Sequence, residues 1–145
     1  MSHIVSYVKR QQENTFLDEP FNEVDALVLS QFIYLKLDGY VGSASENRED
    51  VYLYDIANHI DYEQVFMDER YRKDNVELFE AMVDSKRFRR MRMNYFSNIT
   101  SVLAETQFSA MTIFLEDGPT VIVYRGTDET MVGWKEDFNM AFKEP

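Results

Sequence analysis

The stretch Val121 to Phe138, "VIVYRGTDETMVGWKEDF", decides how the rest of the chain is read. Val121 to Tyr124 form a short apolar run with almost no alternation, which predicts a strand buried on both faces in the middle of a sheet. Arg125, Gly126, Thr127 and Asp128 then make a polar turn. Beyond it Met131, Trp134, Phe138, Ala141 and Phe142 recur at helical spacing, so a helix is expected over the tail "MVGWKEDFNMAF". A strand that stops at a Gly and a hydroxyl residue just before a helix is a common place to hold an anion. Gly126 would let the backbone turn tightly, and Thr127 would offer an N–H and a hydroxyl. Arg125 could tie the loop down by pairing with Asp128 or Asp137. The plainer alternative is an ordinary turn with Thr127 or Asp128 as a helix cap.

Working back toward the N-terminus, "QFSAMTIFL" and "TVIVYRG" read as strands. The four residues "EDGP" between them make a hairpin loop. "RMRMNYF" alternates, with Met91, Met93 and Tyr95 on one side and Arg90, Arg92 and Asn94 on the other, as in a strand with one wet face. Before Ser85 the period is helical. Val76, Phe79, Met82 and Val83 share one face, with Asp74 and Glu77 as a capping pair. "EVDALVLSQFIYLKL" carries Val24, Leu27, Val28, Phe32 and Leu35 on one face, widened by Ala26, Leu29 and Ile33, and Asn22 with Asp25 can cap it. Ile4, Val5 and Val8 suggest a first short helix. "DVYLYDIANHI" fits a helix better than a strand start, "DYEQVFMDERYRK" suggests a short helix, and "DGYVGSASENRED" is a loop. The fold class expected is therefore α+β in one unit, 1–145. It is mainly helical over 1–85, then a small antiparallel sheet and a C-terminal helix over 86–145. Two or three strands are few neighbours for a doubly buried one, so the chain reads as the front portion of a larger domain.

Composition narrows the function. The chain has 145 residues and a formal net charge of −11. Such a charge argues against nucleic acid and anionic lipid as partners. Cysteine is absent, which suits a reducing cytoplasm, the expected location. No stretch has the ~18 apolar residues of a membrane helix, and the N-terminus lacks the pattern of a signal peptide. Five of the fifteen basic residues lie in "SKRFRRMR". Phosphate binding there, with Phe88 for stacking, is outweighed by pairing of Arg89 and Arg92 with the surplus carboxylates. Glu129, Glu136 and Asp137 could be drawn as a carboxylate pair or cation site, but no metal-ligand spacing occurs, and solvated helix faces explain them better. Neither a metal nor a cofactor is expected.

The run "RGTDETMVGWKEDFNMAF" resembles the strand–loop–helix of the class 3 lipases, and matches more closely an uncharacterised lipase-like α/β-hydrolase family of bacteria. That family also resembles "DEPFNEVDALVLSQFIYLKLDG", "SKRFRRMRMNYFSNI" and "QFSAMTIFLEDG". The resemblance implies that Thr127 is the oxyanion-hole residue, in the loop led by Arg125 and Gly126 with Asp128. Trp134, Asp137 and Phe138 would then position the helix behind it. Oxyanion donors are each worth roughly 3–4 kcal/mol in a transition state. The chain has no G-x-S-x-G, so the nucleophile is absent, and both histidines, His3 and His59, precede the loop. Both histidines read as surface or packing residues. The function implied is an N-terminal fragment of a serine hydrolase acting on esters, inactive alone. The alternative is a non-catalytic binding or interaction module related to hydrolases. A homodimer through an exposed strand edge is expected on the fragment reading.

Overall fold

A computed structural model describes residues 2–43, 45–67, 71–101, 106–126, 130–134 and 139–143. The helices come first: α1 (Ser2–Arg10), α2 (Glu23–Phe32), α3 (Leu53–Ile56), α4 (Tyr62–Val65) and α5 (Arg72–Asp84). Five strands follow: β2 (Arg92–Ser101), β3 (Thr106–Phe114), β4 (Thr120–Arg125), β5 (Thr130–Trp134) and β6 (Asn139–Lys143). The two-residue β1 (Val51–Tyr52) adds to β2, so the sheet order is β1 to β6 in chain order. Every pairing is antiparallel. The molecule is thus α+β, with an antiparallel meander covered on one face by α2 and, beyond it, α1 and α5. An α/β-hydrolase sheet is largely parallel, so this arrangement does not bear out the front part of that fold.

The start of α2 follows the local sequence. Asn22 caps it by accepting from the N–H of Val24 and Asp25, while Asp25 accepts from the N–H of Asn22, completing a capping box. The helix ends at Phe32, short of Leu37, and Val24 is exposed. The stretch "DVYLYDIANHI", expected as a helix, opens instead with the two-residue strand β1 and keeps one helical turn, α3. α5 has no Asp74 cap: the helix starts at Arg72 behind Tyr71, which makes no side-chain cap, and Asn75 turns inward to accept from the Gln31 amide at 3.0 Å.

The tail corrects the expectation of a C-terminal helix. Residues 130–134 and 139–143 are strands β5 and β6, paired in register from Thr130↔Lys143 to Trp134↔Asn139. Short apolar runs fit either period. Here β-branched Thr130 and Val132 are fully buried on one sheet face, and Gly133 is a poor helix former. β4 does lie in the middle of the sheet, yet only Val121 and Val123 are buried, while Ile122 is 41% exposed. The sheet therefore has one covered and one open face. In β2 the alternation breaks at a bulge between Asn94 and Ser97. Tyr95 sits there at φ 58° and is turned outward, whereas Asn94 is buried, donating to Arg48 O and Asp50 Oδ1.

The core joins α1, α2 and α5 to the inner rows of the sheet, Met93–Ile113–Val121 and Met111–Val123–Val132. Among the described residues its one buried ion pair links Arg87 to Asp25, both side chains fully inaccessible, at 2.9 Å (Nε) and 2.7 Å (Nη2). Arg87 also donates to the carbonyls of Asn14, Thr15, Glu19 and Pro20, stitching the loop between α1 and α2 to the chain that enters the sheet. Lys86 pairs with Glu13, Arg90 with Glu116 and Arg92 with Asp50, whereas the expected pairing of Arg89 is not among the ion pairs of the described residues.

Candidate functional site

Arg125 ends β4 on the covered face, directly opposite Thr130 of β5. Its guanidinium lies over the Tyr34 ring at 4.2 Å, and among the described residues it makes no ion pair. Thr127, Asp128 and Asp137, with Glu129, Glu136 and Phe138, lie outside the described residues. The loop's oxyanion geometry and the expected pairing of Arg125 are therefore not part of the structure. Gly126 follows β4 as irregular backbone. Thr130 is fully buried, and its hydroxyl has no hydrogen-bond partner among the described residues. An unpaired buried hydroxyl costs free energy, and among the described residues Thr130 Oγ1 is the one buried side-chain polar atom left so.

Trp134 does not join Arg125 and Gly126. It pairs with Val121 at the start of β4, while Arg125 pairs with Thr130 at its end. Four residues of strand separate the two positions, roughly 13 Å. The helix expected from the sequence would have placed Trp134 behind the loop; the strand carries it to the opposite end of the sheet.

There Trp134 meets Phe21, ring centroids 4.9 Å apart and edge-on at 65°. Phe21 in turn lies 5.9 Å from Phe16. These three rings, with Pro20 and the hairpin loop Asp117–Gly118–Pro119, line a half-open cleft of about 200 Å³. Local sequence builds each wall. Pro20 holds the approach to α2 extended, which sets Phe21 one residue before the capping Asn22. Asp117 occupies the left-handed region at φ 59°, which Asp tolerates better than most residues. Gly118 packs close to Phe16, since a Cβ there would meet the ring at 3.0 Å. Phe16 also carries Arg87 over its ring at 4.0 Å, a cation whose charge Asp25 already answers. At the rim Glu116 is taken by Arg90 at 3.2 Å, whereas the exposed Asp117 carboxylate has no ion partner among the described residues.

Other polar groups do less. His59 is exposed, with Nδ1 2.8 Å from the Asp55 carbonyl, and His3 is exposed, in keeping with surface residues. Among the described residues no three His, Asp or Glu side chains gather as a metal would need. No described helix is long and apolar enough to cross a membrane. Burial pushes the Tyr7 phenol above its ordinary value, against the opposing bond from Asn22, and the neighbouring Asp25 charge adds to the rise. Sequence reasoning named Trp134 but missed Phe16, Phe21 and Asp117. Their only local sign was the clustering of Phe and Pro ahead of α2, and a hairpin Asp.

Fold and cleft together define an α+β protein with helices over one face of an antiparallel meander and an aromatic cleft at one end. A family model described as Mbeg1-like matches residues 82–145, which run from the end of α5 through the whole of β2–β6. The chain is similar to that family over a little under half its length. The matching family is not a lipase or α/β-hydrolase one, and this corrects the resemblance drawn from the tail. No curated protein and no solved structure matches the chain.

Proposed function

We propose that this chain is a non-catalytic binding module whose ligand site is the cleft between Phe21, Trp134 and the 117–119 loop. The observation that carries the reading is the aromatic wall beside a carboxylate that has no ion partner among the described residues, in a cleft of about 200 Å³. Ligand sites are concave and carry a few polar groups that fix the ligand's orientation. The cleft is smaller than the ~300–1,000 Å³ of a drug-sized pocket, so the ligand is a compact group or the tip of a larger molecule. With the lipase resemblance corrected, the serine-hydrolase expectation keeps no support among the described residues.

Amide-detected NMR with a panel of small neutral and charged compounds tests the reading. Shift changes grouped at residues 16–21, 117–119 and 134 are expected. Changes scattered over the surface, or none at millimolar concentration, would sink it. Turnover of a nitrophenyl ester by the purified chain would overturn the non-catalytic half. Self-association through the β6 edge of the sheet belongs to the same proposal, because an open edge presents unpaired N–H and C=O groups. Sedimentation over a dilution series checks it, and a monomer at every concentration would remove the dimer.

A further inference from the structure

We infer that the cleft takes a compact organic cation, such as an alkylammonium group, held against the aromatic rings that line it, with Asp117 as its counter-charge. This rests on the binding reading above and goes one step further, to the chemistry of the ligand. Three observations carry it. The walls are aromatic, and ring faces attract cations within about 6 Å of their centroids. Among the described residues the one charged side chain lining the cleft is Asp117, which has no ion partner among them, while neighbouring Glu116 is consumed by Arg90. The chain as a whole carries a net charge of −11, so its field draws cations in and repels anions. The nearest buried cation, Arg87, is neutralised by Asp25 and does not oppose a second positive charge.

Trp134 is the only tryptophan of the chain, so its fluorescence reports directly on the cleft. The intact chain is titrated with tetramethylammonium chloride, with sodium chloride at equal ionic strength, and with tert-butanol as a neutral compound of similar shape. A saturable change with tetramethylammonium alone is expected. Asp117→Asn should weaken it about two- to fivefold, the size of a solvent-exposed charge pair. Asn also tolerates the left-handed backbone at this position, so the variant keeps the loop. If tert-butanol binds as tightly and Asp117→Asn changes nothing, the cation inference falls while the binding reading stands. If neither compound binds and the NMR panel is also silent, both fall.

Discussion

Arg87 sits where a charge is hardest to keep. It is buried, paired with a buried carboxylate, and bonded to four backbone carbonyls. Burial works against its charge, but the bonds and charge of Asp25 win and raise its pKa. Arg87→Met would leave Asp25 charged and buried without its counter-charge. The expected cost is about 3–5 kcal/mol, read as a fall in the urea midpoint. Arg87→Met with Asp25→Leu should recover part of that loss, because no isolated charge remains. Thr130 is the opposite case. Thr130→Val keeps the shape and removes a buried hydroxyl that has no partner among the described residues, so a gain of about 1 kcal/mol is expected in the same measurement. A loss would mean that the hydroxyl is satisfied in solution.

At the scale of elements, the bulge in β2 turns a bulky residue outward at an unfavourable backbone angle. Tyr95 is 47% exposed, so Tyr95→Gly gives up little burial and relieves φ 58°. A neutral to slightly stabilising effect, up to about 1 kcal/mol, is expected by thermal unfolding. That bulge also marks where the sequence stopped being legible. The alternation of Met91, Met93 and Tyr95 holds for the two methionines and fails at the third, because an inserted residue resets the period. The capping box at Asn22 was legible because its bonds span three residues, and the hairpin loop at 116–119 because Asp-Gly fixes the turn. The tail was not. Its apolar residues satisfy a helical stripe, and only the open partner edge of β4 decides for strand. The same error displaced the site. As a helix residue Trp134 belongs with Arg125; as a strand residue it belongs with Phe21, which lies 113 positions earlier in the chain, a proximity that no local pattern carries.

For the whole molecule, the helical layer and the sheet are tied at the junction of Tyr7, Asn22, Asp25 and Arg87. Tyr7 donates to Asp25 at 3.1 Å and accepts from Asn22 at 2.9 Å. Burial holds the folded-state pKa of this phenol above its ordinary 10.0. Its contribution is then fully present below pH 10 and is lost as pH rises through the raised value. Stability should fall more steeply above pH 10 in the parent chain than in Tyr7→Phe, as followed by tyrosinate absorbance alongside denaturant unfolding. Parallel curves would show that the bond adds nothing.

The meander order of the sheet bears on how the chain reaches this state. Each strand from β2 to β6 pairs with its neighbour in sequence, so those ladders close short loops and lose little chain entropy. Asp25 and Arg87 are 62 residues apart, and their junction must wait for a long loop to close. The hairpins are therefore expected to form early, and docking of the helices to be the slow step. Amide protection in the strands should precede protection in α2 during refolding. For a time the chain would present both faces of its sheet to solvent, and it is in that interval that it is most exposed to aggregation.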